Sequence, residues 1–146
     1  MKIKTAGRIC LFGEHQDYLG LPVIAMAISK FSSLSGVARN DAKVVIRKPD
    51  INDIEKFSLN EIKYNSKQDI FKSGFNICKR FGFKFSRGFD VTVKSDIPIK
   101  AGTSSSSSLL VSWIHFLTRN ADNAKNISCL LYTSDAADDL WCGGGG

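Results

Sequence analysis

The sequence predicts an α+β domain, and three segments carry the prediction. Residues 89–93 alternate apolar and polar side chains, as a half-buried strand does. Residues 70–81 repeat apolar side chains at steps of three and four, which indicates an amphipathic helix. Residues 109–117 are apolar almost all round and indicate a helix buried in a core. Strands and helices in this mixed order are typical of α+β domains.

Weaker signals come from the first half of the chain. Residues 2–5 alternate weakly and predict a short strand. Glycines and charged residues over 7–22 predict a structured loop. Residues 23–31 are apolar and small, and their periodicity leaves a strand and a buried helix both open. Residues 44–46 predict a strand that ends at a Pro-Asp turn signal.

The ends of the later helices and strand are marked by clearer sequence signals. Ser66 with Asp69 resembles a capping signal for the amphipathic helix, and Gly82 is a plausible stop. After the alternating strand, residues 96–102 predict a turn, and the serine run 104–108 leads into the buried helix.

Five polar or aromatic residues in the predicted helices are interpreted as core. His115 is predicted to be a satisfied core histidine, with a catalytic role as the alternative. Cys78 is predicted to be a small apolar filler. Phe71, Phe75 and Phe81 are predicted to pack in the core rather than to form an aromatic ligand box.

Composition limits the class of protein. The chain has 146 residues, enough for one domain, and no apolar stretch approaches the roughly 20 residues that span a bilayer. The N-terminus lacks the apolar core of a secretory signal, so a cytoplasmic protein without a membrane partner is expected. Four cysteines show neither a CxxC pair nor metal-ligand spacing.

The formal net charge of +6 raises the question of nucleic-acid binding. Much of it comes from scattered lysines, without an arginine-rich run or an RNA-binding aromatic motif. We therefore expect a nucleotide rather than nucleic acid as the anionic partner, and an RNA-binding domain stays as the lowest-ranked alternative.

The serine-rich loop has the chemistry of a phosphate site. Thr103 or Ser104 can cap the buried helix, whose first backbone N–H groups lack internal partners and attract phosphate. Gly102 permits close approach, and Lys100 can add a cation. The hydroxyls offer an oxygen ligand for Mg²⁺. The alternative is a serine-rich linker, although a linker would not run straight into a buried helix.

A second polar cluster lies in the glycine-flanked segment that starts at Gly7. Carboxylates and an imidazole at Glu14, His15 and Asp17 suit sugar hydroxyls, which both donate and accept hydrogen bonds. Arg8 is always charged and can stabilise a transferring phosphoryl group. Taken alone, the cluster is equally well explained as a solvated loop.

Together the two loops resemble the GHMP kinases. The first motif is Gly-Arg-x-x-x-x-Gly-Glu-His-x-Asp-Tyr from residue 7, and the second is Pro-x-x-x-Gly-x-Ser-Ser-Ser from residue 98. Within that superfamily the pattern looks most like galactokinase, because mevalonate kinases usually lack the Asp-Tyr pair. Four positions depart from the usual residues: Cys10 for Asn, Phe12 for Ile, Thr103 for Leu and Ser107 for Ala.

The resemblance implies a fold and a set of roles. The implied fold is the ribosomal protein S5 domain 2-like N-terminal domain of GHMP kinases, truncated, over residues 1–127. The implied reaction transfers the γ-phosphoryl group of ATP to a sugar hydroxyl, with galactose the expected substrate and Mg²⁺ the metal. Arg8 is the implied catalytic residue and Ser106 the implied Mg²⁺ ligand. The sugar ligands are Glu14, His15, Gln16 and Asp17, and the ATP ligands are Lys100, Ala101, Gly102, Thr103, Ser104, Ser105 and Ser106.

The family's catalytic Asp and a second, acidic Mg²⁺ ligand lie further along its chains, and residues 1–127 hold no recognisable counterpart. This chain alone is therefore expected to be inactive. Two alternatives stay open within the same fold: a non-catalytic sugar and ATP sensor, and a mevalonate-kinase-like enzyme for another small molecule. Protein partners are unknown from the sequence.

The last residues, 128–146, have a different character. Residues 129–138 can be encoded by TGT CTC TTA TAC ACA TCT GAC GCT GCC GAC, which resembles a transposon adapter used in sequencing libraries. The closing Gly143–Gly146 would then come from a run of G bases. We predict a non-native, adapter-derived tail, with a real helix and flexible glycine end as the alternative.

Overall fold

The fold is described from a computed structural model, which covers residues 1–13, 19–60, 62, 69–98 and 104–124. Across these ranges, five strands form one sheet in the order β1-β2-β5-β3-β4. Pairing is antiparallel except between β3 and β5. The strands are β1 Lys2–Phe12, β2 Ile24–Ala38, β3 Lys43–Lys48, β4 Asp53–Ser58 and β5 Phe89–Ser95; the helices are α1 Ile70–Arg80 and α2 Ser105–Asn120. The predicted α+β class is confirmed.

Both helices pack on the same face of the sheet. Along β5 the buried residues Phe89, Val91 and Val93 alternate with half-buried Asp90 and Thr92, so one face of the strand enters the core. This is the period-two pattern from which the strand was predicted. The other buried apolar side chains include Leu34, Val44 and Ile46 from the sheet, Phe71, Phe75 and Cys78 from α1, and Trp113, Phe116 and Leu117 from α2.

For the first half of the chain, one prediction needs correction and one open choice is resolved. The predicted loop over 7–22 is wrong for residues 7–12, because β1 continues to Phe12 and pairs there with β2. Register shifts between Ala6 and Arg8, and again between Cys10 and Phe12, let the strand absorb its irregular residues without ending. The open choice over 23–31 is resolved as a strand from Ile24.

Strand β4 was not predicted from the sequence. It reads Asp-Ile-Glu-Lys-Phe-Ser and has no buried residue in its burial pattern. On one face Lys48 of β3 joins two of its carboxylates, with Nζ–O distances of 3.0 Å to both Asp53 and Glu55. Its place in the sheet depends on pairing with β3 rather than on its own apolar pattern.

The ends of α1 follow the prediction in part. The helix begins at Ile70, and the N-cap Asp69 makes no side-chain capping bond but pairs with Lys72 at 3.1 Å. Ser66 lies outside the described residues. Gly82 ends the helix as predicted: its φ is +83°, and its amide donates to the carbonyl of Lys79.

Of the three phenylalanines predicted to pack in the core, two are buried. Phe71 and Phe75 are core residues as predicted, but Phe81 is 64% exposed. The reason is that Phe81 is the C-cap of α1, beyond the last helical turn that packs on the sheet. His115 was predicted to be a core histidine, but it is half-buried on α2 rather than buried.

Cys78 should resist alkylation in the folded chain. Its side chain is fully buried, and burial raises the pKa of the thiol to about 12, so almost no thiolate forms at pH 8. We expect iodoacetamide to label Cys78 only after denaturation, as measured by peptide mass spectrometry. The half-buried free thiol Cys10 is the internal comparison. Equal labelling of both cysteines in the native chain would contradict the packing of α1.

Candidate functional site

The first turn of α2 has backbone donors that lack acceptors within the helix. The helix starts at Ser105, and the Ser108 amide donates to the carbonyl of Ser104 at 3.0 Å, which is the first helical hydrogen bond between described residues. The N–H groups of residues 105–107 therefore lack helical acceptors. Half-buried Ser105 and exposed Ser106 stand at this end. Such a terminus favours an anion through its donors and its dipole.

Ser104 adopts a conformation that is unusual for its residue type. Its φ is +54° and its ψ +41°, which places a non-glycine residue in the left-handed region. Strain of this kind costs about 1–3 kcal/mol and is often found at binding sites. The predicted side-chain cap by Ser104 is wrong, because its hydroxyl makes no capping bond. The other predicted phosphate ligands, Lys100, Ala101, Gly102 and Thr103, lie outside the described residues.

Magnesium fits the donor chemistry at this terminus. Ser106 is exposed on the first turn of α2, so its hydroxyl oxygen is accessible to a hard cation. Within the described ranges there is no group of three or more His, Cys, Asp or Glu residues that could hold a metal ion. Ser106 can therefore supply one oxygen ligand, and the remaining ligands would come from phosphate oxygens, water or other residues.

Two carboxylates fasten the chain where β5 enters the loop. Asp50 accepts a hydrogen bond from the Ser95 amide at 2.7 Å, and Asp96 accepts one from the Phe31 amide at 2.5 Å. The bond from Phe31 lowers the pKa of Asp96 below its ordinary value, so this carboxylate is ionised at neutral pH. Sequence reasoning missed both residues, because their partners lie 45 and 65 positions away.

Gly13 and Pro22, which flank the first loop, approach each other closely. Gly13 has a φ of +83°, and a Cβ added there would lie 2.8 Å from the carbonyl oxygen of Pro22. Only glycine combines that conformation with that approach. The predicted sugar ligands Glu14, His15, Gln16 and Asp17 lie outside the described residues. The surface around Gly13 and Pro22 is apolar and exposed. It is formed by Leu11, Phe12, Leu19, Leu21, Val23, Ile24 and Met26.

The topology puts Arg8 and the start of α2 at the same end of the sheet. Strands β1 and β5 are each antiparallel to β2 and so run in the same direction, while α2 returns after β5. Thr5 Oγ1 lies 2.6 Å from Ser112 Oγ and marks where β1 and α2 meet. Arg8 lies about 10 Å beyond Thr5 along the strand, and Ser105 about 10 Å before Ser112 along the helix. The exposed Arg8 and the N-terminus of α2 thus lie at the same end of the sheet.

Comparison with known families agrees with this arrangement. Residues 69–134, which include β5, α2 and the loop between them, match the family described as GHMP kinases N terminal domain. The chain therefore carries a GHMP kinase N-terminal domain, of mixed sheet and helices. Residues 3–32, which include Arg8 and the first loop, match the galactokinase galactose-binding signature. The first match continues past residue 127 into the segment predicted to be adapter-derived, whose residues lie outside the described ranges.

Individual relatives are similar over the same region. The chain is 34% identical over 110 residues to a galactokinase of Ligilactobacillus salivarius, covering 72% of this chain and 28% of that one. It is 28% identical over 120 residues to a mevalonate kinase of Methanocaldococcus jannaschii, covering 78% and 38%. The crystal structure of Lactococcus lactis galactokinase complexed with galactose has a TM-score of 0.81 at 26% identity, covering 99% and 39%.

The chain thus spans between about a quarter and two fifths of the length of the relatives it matches. Among the helices in the described residues, none has the length and apolar character needed to span a membrane.

Proposed function

We propose that this chain is the substrate- and phosphate-binding part of an ATP-dependent sugar kinase, which converts galactose to galactose 1-phosphate. The observation that carries the proposal is the galactokinase galactose-binding signature over residues 3–32, together with the phosphate-binding geometry at the start of α2. Arg8 and the start of α2 lie at one end of the sheet, which suits transfer of a phosphoryl group between two bound substrates.

Each element has a proposed role. The free amides and hydroxyls at Ser104, Ser105 and Ser106 would hold the ATP phosphates, with Ser106 as one Mg²⁺ ligand. The metal would supply charge neutralisation at the phosphate oxygens. Arg8 would stabilise the negative charge that develops during transfer. Glu14, His15, Gln16 and Asp17 would bind the sugar hydroxyls, and residues 100–103 would complete the phosphate loop.

Binding should be measurable although turnover by this chain alone is not expected. We expect saturation-transfer NMR to show galactose contacting the wild-type chain. Asp17→Asn should weaken that binding about tenfold or more, since hydrogen bonds to a charged group are worth about 1.5–3 kcal/mol. The matched control is Asp122→Asn on the exposed turn after α2, where an amide oxygen can still accept from Ser86.

The outcomes separate the candidates. Unchanged galactose binding in Asp17→Asn, or none in the wild type, would overturn the proposed sugar site. Multiple turnovers in an ATP-dependent assay with this chain alone would overturn the expectation that residues elsewhere in the protein are needed.

A mevalonate-kinase-like activity is the second candidate, supported by the 28% identity to the Methanocaldococcus jannaschii enzyme. Binding of mevalonate in the same NMR experiment, with no binding of galactose, would favour it.

A further inference from the structure

Five hydroxyl side chains form two bridges between α2 and the sheet, which we call the hydroxyl network. In the first bridge Ser108 Oγ donates to Ser32 Oγ at 2.7 Å, and Ser32 Oγ lies 3.1 Å from Ser95 Oγ. In the second, Thr5 Oγ1 lies 2.6 Å from Ser112 Oγ. The network joins α2 to three strands, β1, β2 and β5.

The network is buried at Ser32, Ser108 and Ser112, while Thr5 and Ser95 are half-buried. Ser32 and Ser112 have no exposed surface, and Ser108 is 4% exposed. A buried hydroxyl costs free energy unless it is hydrogen-bonded, so alanine would fill such small spaces at lower cost if packing were the only requirement. A satisfied buried polar network instead favours one arrangement of its parts over others.

The first bridge connects the two ends of the serine-rich loop. Ser95 is the last residue of β5, and its hydroxyl also accepts a hydrogen bond from the Ile97 amide at 3.3 Å. Ser108 lies one turn into α2, and its amide donates to the carbonyl of left-handed Ser104. Ser32 stands between them on β2, so the bridge Ser95–Ser32–Ser108 closes the loop at its base. Ser95 and Ser108, one on each side of the loop, are thereby held together through Ser32.

The second bridge, Thr5–Ser112, connects α2 to β1, the strand that carries Arg8. Thr5 belongs to the strand that carries Arg8 three residues later, and Ser112 is one helical turn after Ser108. The same face of α2 is thus hydrogen-bonded to both β1 and β2. Any shift of the helix along its axis would break both bridges.

We propose that Ser32 and Ser108 are positioning residues, which hold the first turn of α2 in register for phosphate binding. The expected effect on nucleotide binding rests on the proposed function. The expected effect on the position of α2 does not. Loss of the bridge acts on the free amides at 105–107 through Ser104 and Ser108, without any contact between Ser32 and the phosphates.

The test compares Ser32→Ala with Ser33→Ala in the full 146-residue chain. Ser33 is the matched control, since its hydroxyl lies on the opposite face of β2, 3.4 Å from the Lys94 carbonyl. Amide hydrogen exchange by NMR reports on the Ser108 amide, and the Ile46 amide in β3 reports on global stability. Calorimetric titration with Mg²⁺ and adenylyl imidodiphosphate, a non-hydrolysable ATP analogue, reports on phosphate binding.

We expect Ser32→Ala to speed exchange at Ser108 about threefold to tenfold and to weaken nucleotide binding by a similar factor, with less than twofold change at Ile46. Ser33→Ala should change neither. Unchanged exchange at Ser108, equal acceleration at Ser108 and Ile46, or a wild-type chain without protected α2 amides would overturn the proposal. A wild type that binds no nucleotide would overturn the proposed function instead, while the exchange data would still decide the role of Ser32.

Discussion

Gly88→Ala is expected to destabilise the fold by about 3 kcal/mol or more, at or beyond the upper end of ordinary overpacking. A Cβ at Gly88 would lie 2.5 Å from the carbonyl carbon and 2.6 Å from the amide nitrogen of Lys43. These are backbone atoms at the start of β3, which cannot rotate away as a side chain would. Relief therefore requires β3 and β5 to separate at their parallel pairing of Val44 with Phe89.

Hydrogen bonds tighten the same junction. The Gly88 amide donates to the carbonyl of Asp41 at 2.6 Å, and the Arg39 amide donates to the carbonyl of Gly88 at 2.8 Å. Urea unfolding followed by circular dichroism measures the effect. Gly20→Ala is the control, because a Cβ there meets no atom of the described residues within 4 Å, and its φ of +70° is what opposes the substitution. The control should lower the free energy of unfolding by about 1–2 kcal/mol. Equal losses in the two variants would show that the collision at Lys43 is not decisive.

The sequence predicted those elements whose own residues repeat with the right period. Strand β5 alternates cleanly, and α2 is apolar nearly all round, so each was located before any partner was known. The helix end at Gly82 was also predicted from a local signal, since the left-handed conformation there depends on that residue alone. Local signals of this kind do not require knowledge of the sheet order.

The missed elements depend on distant partners. Residues 7–12 contain loop-forming signals, yet they continue β1 because β2 supplies their hydrogen bonds. Strand β4 is polar and half-exposed, and it is held by pairing with β3 and by its contacts with Lys48. Propensity is a weak guide in such strands, since pairing decides the outcome.

The candidate site shows the same division. Two short motifs predicted its chemistry, because Arg8 and the serines of α2 lie in recognisable local patterns. Their common position at one end of the sheet follows from strand order, which no local pattern contains. The bridge from Ser108 to Ser32 joins residues 76 positions apart, and serine is too common a residue for this pairing to be inferred from the sequence.

Trp113→Ala is expected to be the most damaging side-chain truncation among those considered, with a loss of about 3–5 kcal/mol. Trp113 is fully buried on α2, and its ring stacks with Phe116 at a centroid distance of 5.8 Å and meets Phe71 edge-on at 5.6 Å. Its Nε1 donates to the carbonyl of Phe71 at 2.8 Å. Gly74 makes the close approach possible, since a Cβ there would lie 2.8 Å from the indole.

The loss should also reach the candidate phosphate site, because Trp113 fixes α2 against α1 and the sheet. Denaturant unfolding by circular dichroism measures the stability, and Trp113→Phe separates ring packing from the indole hydrogen bond. Phe81→Ala is the control for loss of an aromatic ring at an exposed position and should stay within about 0.5 kcal/mol of the wild type. If Trp113→Ala cost no more than Phe81→Ala, α2 could not be anchored by the core described above. The free amides at its first turn would then lack the rigid support that phosphate binding requires.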